Sequence, residues 1–277
     1  MASAAERGPA VRPRDDSPMR KMLTTRLTSL PLLAVMVLTQ ACGSDEPVAP
    51  TPIEEAPQSV QVYSSPLDPG GTNTYLFTLQ TQSTVQLMLV GAVVDNPFRS
   101  LSAVLRIQFA TWDGTSCVTR VENDTAPRLT AALHAFLDPG TYCAIVTDPG
   151  TLTEPVGATL RIVAPALLRT GGEAGTRTFS STITPRGTAT RTFESTVPGR
   201  VNITLNSVSE GAVEMALAIG VPASDNSGCK YSQVVRAVPG GSPQLSVETD
   251  AGDYCASLVD VGNLRAISSF TLTIQHP

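Results

Sequence analysis

Asp138-Pro139-Gly140-Thr141-Tyr142-Cys143 returns 112 positions later as Asp250-Ala251-Gly252-Asp253-Tyr254-Cys255. The echo extends in both directions. VQVYSSPLDPGG (60–71) matches TRTFSSTITPRG (176–187), and Val85 and Leu89 match Val201 and Leu205 at an offset of 116. From Leu105/Leu217 through Ile162/Ile274 the offset is 112, so a four-residue difference falls between Gly91 and Ala103. One module is used twice. Each copy spans about 100 residues, a domain rather than a solenoid repeat.

Within each copy the hydrophobic period is two. Val85, Leu87 and Leu89 alternate, as do Val201, Ile203 and Leu205. Leu133, Ala135 and Leu137 alternate, matched by Leu245, Val247 and Thr249. Such short runs, separated by Gly, Pro, Asp and Asn, predict seven or eight antiparallel strands per copy. Asp113-Gly114 and Asp225-Asn226 are turn pairs before the first cysteine of each copy. The expected fold is all-β: two tandem β-sandwiches of jelly-roll or Greek-key type over 58–165 and 176–277, joined by 166–175.

The chain has five cysteines. Cys117 and Cys143 are 26 apart, and so are Cys229 and Cys255. Pairing within each copy implies an oxidising compartment. Asp-x-Gly-x-Tyr resembles the tyrosine corner of Greek-key sandwiches, which assigns turn and corner roles to Asp138, Gly140, Tyr142, Asp250, Gly252 and Tyr254. In that reading Tyr142, Ala144 and Val146 face the core, with Tyr254, Ala256 and Leu258 as equivalents. Each cysteine directly follows its tyrosine and therefore faces the other way. The disulfides are expected as peripheral staples.

The fifth cysteine, Cys42, ends a leader. Residues 1–18 are polar, and the true start is expected at Met19 or Met22. Arg20, Lys21 and Arg26 precede the apolar run Leu27–Leu38, a secretory signal pattern. At Cys42 the sequence resembles the lipobox of bacterial lipoproteins. Ala41 fits it, while Thr39 stands where the family usually has Leu. The resemblance implies cleavage after 1–41 and a diacylglycerol thioether at Cys42. It also implies attachment to the cell envelope, with Gly43 leaving the outer membrane or cell surface as the destination. The tether 42–57 is Pro-rich, and its fifteen residues after Cys42 reach about 45 Å at roughly 3.1 Å per residue.

Charged residues make up 16% of the chain, against about 25% in ordinary soluble domains. Beyond the leader the balance is acidic and no basic stripe remains, which argues against nucleic acid as a partner. No Gly-x-Ser-x-Gly, His-Glu-x-x-His or Cys-x-x-Cys is present. His134 points outward from its strand and His276 is next to last, so no catalytic residue, cofactor site or metal site is assigned. Three acid pairs recur (Asp113/Asp225, Asp138/Asp250 and Asp148/Asp260). Turn chemistry explains them better than a calcium site, the sharper alternative. Trp112 is the single tryptophan, expected in a loop with Ser224 as its counterpart.

Tyr75-Leu-Phe-Thr78, the Val-x-Leu and Gly-x-Tyr strands and the closing Thr-Leu-x-Ile resemble bacterial pre-peptidase C-terminal domains, over both copies. The resemblance implies a non-catalytic β-sandwich of secreted proteins that contacts surfaces or substrates. The expected function is a membrane-anchored envelope protein, not an enzyme, that binds a protein or polysaccharide. The alternatives are a secreted hydrolase or its accessory module, and a structural spacer without a ligand.

Overall fold

The computed structural model describes residues 59–165, 174–225 and 227–277. The leader, Cys42, the tether and most of the 166–175 joint lie outside them. The first copy comprises β1 (Ser59–Leu67), β2 (Thr72–Leu79), β3 (Ser83–Val94), β4 (Arg99–Ser100), β5 (Leu105–Trp112), β6 (Cys117–Thr125), β7 (Leu133–Leu137), β8 (Gly140–Thr147) and β9 (Val156–Ala164). The second comprises β10 (Gly175–Ile183), β11 (Thr188–Ser195), β12 (Gly199–Val208), β13 (Met215–Pro222), β14 (Cys229–Ala237), β15 (Leu245–Thr249), β16 (Gly252–Val259) and β17 (Ser268–His276).

Every strand pairing is antiparallel. One sheet of the first copy runs β1-β9-β3, with β4 and β7 both pairing with β3, and the other runs β2-β8-β5-β6. The second copy repeats this as β10-β17-β12-β15 and β11-β16-β13-β14. Apart from β4, the order is the same in both, and it is that of a jelly roll. Alternation supplies the cores: β15 reads buried, exposed, buried, exposed, buried. Leu87, Leu89, Phe109, Tyr142 and Leu160 fill one sandwich, and Ile203, Leu205, Ile219, Tyr254 and Leu272 fill the other.

Strand register corrects the sequence alignment at one place. Phe109 lies opposite Ala144 as Ile219 lies opposite Ala256. The strands β5 and β13 therefore match at an offset of 110, and Leu105 corresponds to Met215, not Leu217. The first copy has six extra residues between β3 and β5, and the second returns two of them in the longer 223–228 hairpin loop. Net counting by sequence sees only the difference. The insertion carries β4 and the Asp95–Phe98 loop.

The two sandwiches form one compact unit. In β3 both faces are buried. Leu87 and Leu89 serve their own core, while Met88 and Val90 join the core cluster of the second copy. Their counterparts at the 116 offset are Thr204 and Asn206, and Asn206 is exposed. An unbroken apolar run, Leu87–Val94, is the sequence mark of a strand covered on both sides. The inserted arm adds Phe98, whose ring meets Tyr231 edge-on at 5.3 Å. Ser100 Oγ accepts the Val234 N–H of the edge strand β14 at 3.0 Å, which blunts an edge that would otherwise be free to pair elsewhere.

The sandwiches come close together at Gly91, where an added Cβ would lie 1.9 Å from the Tyr231 carbonyl oxygen. Gly91 sits at a bulge, and the equivalent bulge of the second copy carries Ser207, which is exposed. Gly91→Ser gives the first copy the residue its sibling already tolerates, yet it drives a side chain into the backbone of β14. It is expected to cost about 1–3 kcal/mol, the range for overpacking a filled contact. The reciprocal Ser207→Gly should stay within about 1 kcal/mol, the penalty of a strand glycine. Chemical denaturation of both variants checks the asymmetry.

Candidate binding cleft between the sandwiches

Both tyrosine corners are formed. The Tyr142 hydroxyl donates to the Asp138 carbonyl at 2.9 Å, and Tyr254 donates to Asp250 at 2.8 Å. Their surroundings differ. Asp138 Oδ1 accepts from Gln82 on the surface. Asp250 instead faces the first sandwich: its N–H donates to the Leu129 carbonyl at 3.0 Å, and its Oδ2 accepts the Ala131 N–H at 2.8 Å. Leu129 is fully buried and forms an isolated parallel bridge with Thr249. Gly252 has φ +149, and a Cβ there would come within 2.7 Å of Arg161 Nη2. The second corner is thus a docking element, while the first is a corner only.

Arg161 stands at the centre of this seam. It is 3% exposed, on the outer face of β9. Its guanidinium carbon lies 5.6 Å from the centre of the Tyr254 ring. Burial pushes the Tyr254 hydroxyl up to about 12, against the opposing charge of Arg161.

Both disulfides are present, Cys117–Cys143 and Cys229–Cys255. Each links the strands that flank β5 or β13: Cys143 and Cys255 lie opposite Ala110 and Gly220, while Cys117 and Cys229 lie opposite Trp112 and Pro222. They face away from the sandwich cores, but they are not peripheral, because Cys143 and Cys255 are fully buried. Trp112 and Ile145 pack with the first bridge. Trp112 is the last residue of β5 rather than part of a loop, and its register counterpart is Pro222, not Ser224. The two bridges are the mark of an oxidising compartment outside the cytosol.

The recurring acids serve turns. Asp113 accepts N–H groups from Ser116 and Thr115, which hold its carboxyl below the usual range. Asp148 is buried, which raises its pKa. Donors from Gly70, Thr151 and Leu152 outweigh that and lower it. Asp260 repeats the arrangement with Arg186, Asn263 and Leu264. Among the described residues no three His, Cys, Asp or Glu side chains come together as a metal site would require. His134 is exposed on β7, and His276 is buried beside Phe193, ring centres 5.9 Å apart.

Two clefts open along the seam on either side of the inserted loop. One, of 430 Å³, is lined by Ser64, Ser65 and Thr159 from the first copy, by Phe98 of the arm, and by Lys230 and Tyr231 from the second. The other, of 500 Å³, shares Asp95 and Phe98 and adds Arg186 and Arg236. The first combines hydroxyls, two aromatic rings, one ammonium and the Asp95 carboxylate. Its hydroxyls are fixed: Ser64 Oγ pairs with Thr159 Oγ1 at 3.0 Å, and Ser65 Oγ accepts Asn73 Nδ2 at 2.8 Å. No histidine lines it. Fixed polar groups beside aromatic rings are the composition typical of ligand pockets. Repeat matching could not point to Arg161, Phe98 or Tyr231, because it highlights what the copies share. The available signals were the apolar run in β3 and the charge in Thr159-Leu-Arg161-Ile, where the second copy has Thr273.

No family model matches the chain, and no curated protein matches it. Among solved structures it is similar to the PBSX exported protein XepA (8% identity, TM-score 0.29, covering 79% of this chain and 86% of that one). It is also similar to A223, a turret protein of Sulfolobus turreted icosahedral virus (11% identity, TM-score 0.24, covering 80% and 100%). A third likeness is to tripeptidyl peptidase 2 (8% identity, TM-score 0.30, covering 80% of this chain and 23% of that one). Likenesses this weak add nothing to what the sheets themselves show.

Two outcomes follow. Stability held by Tyr254 is fully present below its ordinary value of about 10 and is lost as pH rises from there towards the folded value of about 12. A denaturation series at alkaline pH should show this limb, and Tyr254→Phe should remove it. Replacing Cys117 and Cys143 together by Ala should cost at most about 3.5 kcal/mol by loop entropy, read from the shift in denaturation midpoint.

Proposed function

We propose that this chain is a lipid-anchored protein of the bacterial cell envelope that holds a polysaccharide in the 430 Å³ cleft between its two jelly rolls, without catalysing a reaction. The observation that carries the reading is the lining of that cleft. Fixed hydroxyls from Ser64 and Thr159 suit a polyhydroxylated ligand, and the rings of Phe98 and Tyr231 offer apolar faces to sugar rings. Its volume lies within the range of about 300–1,000 Å³ typical of small-molecule sites. The likeness of both copies to pre-peptidase C-terminal domains supports a non-catalytic role. The lipobox-like residues at Cys42 support the anchor. Two or more acyl chains bind a membrane stably where one does not, and the tether would hold the sandwiches clear of the surface.

Two measurements test the reading. Cys42→Ala should move the protein from the membrane fraction to the soluble fraction. In native gels cast with neutral or acidic polysaccharides, the protein should be retarded by at least one of them. Lys230→Ala combined with Ser64→Ala should lose most of that retardation with an unchanged unfolding midpoint. Unretarded migration in every polysaccharide would overturn the glycan assignment.

A further inference from the structure

A further recess belongs to the first copy alone, since every residue of its lining falls within 59–165. It measures 350 Å³, and its apolar part is formed by Phe77, Leu79, Ile162 and Ala164. Ser59 and Gln61 are among its polar residues, and no charged side chain lines it. Gln61 Oε1 accepts the Tyr63 hydroxyl at 2.7 Å, which leaves the Nε2 donors of that amide for a ligand.

The duplication supplies a control for this recess. Register equates Ala164 with His276, because the first lies opposite Ser59 and the second opposite Gly175. It equates Phe77 with Phe193, which lie opposite Tyr142 and Tyr254. In the second copy the buried imidazole of His276 stacks on Phe193, with ring centres 5.9 Å apart and 29° between the planes. Gly175 makes room for it, since a Cβ there would come within 2.6 Å of the imidazole. His276 Nε2 has no hydrogen-bond partner, and Nδ1 meets the carbonyl of the adjoining Pro277. Shape and stacking therefore hold that ring, rather than a polar bond from the walls. The first copy keeps the aromatic floor and lacks the ring. Phe77 is held by Tyr142 and Phe109, at 5.7 and 5.9 Å between ring centres. Above it Ala164 ends at Cβ. Leu79 stands where the second copy has the smaller Ser195, and the recess persists despite it.

We propose that this recess binds a small, neutral, planar aromatic molecule. Its ring stacks on Phe77 as the imidazole of His276 stacks on Phe193, and a carbonyl substituent accepts from the Gln61 amide. Offset stacking on an aromatic face favours a flat ring. The uncharged lining selects a neutral ligand, because an ion without a partner is costly to bury. The site is separate from the polysaccharide cleft and does not depend on that reading.

Benzamide and cyclohexanecarboxamide test it by NMR titration of the purified full chain, since the two carry the same amide on a flat and a puckered ring. Benzamide should bind with one equivalent per chain. Cyclohexanecarboxamide should bind about threefold or more weakly, the margin that a stacked aromatic pair adds to area burial alone. Ser59→Gly combined with Ala164→His gives the first copy the plug of the second. It should abolish benzamide binding without lowering the unfolding midpoint. His276→Ala is the converse arm: it uncovers Phe193 and should raise the benzamide stoichiometry from one to two. No binding of benzamide, equal binding of both amides, or full affinity in the folded plugged variant would each overturn the assignment. Should the plugged variant not fold, a stoichiometry that stays at one in His276→Ala overturns it instead.

Discussion

The outer face of β3 and β9 cannot be left in water. Met88 and Val90 are buried there as completely as the core residues on the other side of the same strand. At roughly 25 cal/mol per Å² of apolar surface, covering that face couples the two sandwiches into a single packing problem. Gly91 follows from it, since only a residue without a side chain lets the β14 backbone lie so close. So do the buried position of Arg161 and the docking role of the second tyrosine corner.

Duplication produced two modules with the same internal logic and different external duties. Asp-x-Gly-x-Tyr makes the same hydroxyl-to-carbonyl bond in both copies, because that bond depends on residues four apart in one loop. What the corner then touches depends on the other copy. The first is half open to solvent, while the second receives Leu129, Ala131 and Arg161. Asymmetry between copies marks the seam: Val90 against Asn206, Gly91 against Ser207, Arg161 against Thr273, and an inserted arm with no counterpart.

That arm also sets the chemistry of the surface. By reaching across to β14 it caps an edge strand and divides the seam into separate recesses. The hairpin tip at Ser224 closes off a third. Each recess draws residues from both sandwiches, in keeping with the general preference of pockets for domain interfaces.

The all-β class, the twofold repeat, the cysteine pairs and the tyrosine corners were legible in the linear chain, because each is a local or periodic property: strand alternation, a fixed offset, a spacing of 26, a turn motif. The offset of β5 against β13 was not, since an insertion and a partial compensation sum to one number and only strand register separates them. The burial of Cys143 was also missed, because facing away from one core says nothing about what covers the other side. Contacts such as Arg161 with Tyr254 join residues 93 positions apart on different copies. Sequence by itself determined what each module is. Only the tertiary structure decided that the two share a seam and which groups line it, because packing between modules depends on the shapes of two folded surfaces and leaves no period in either strand.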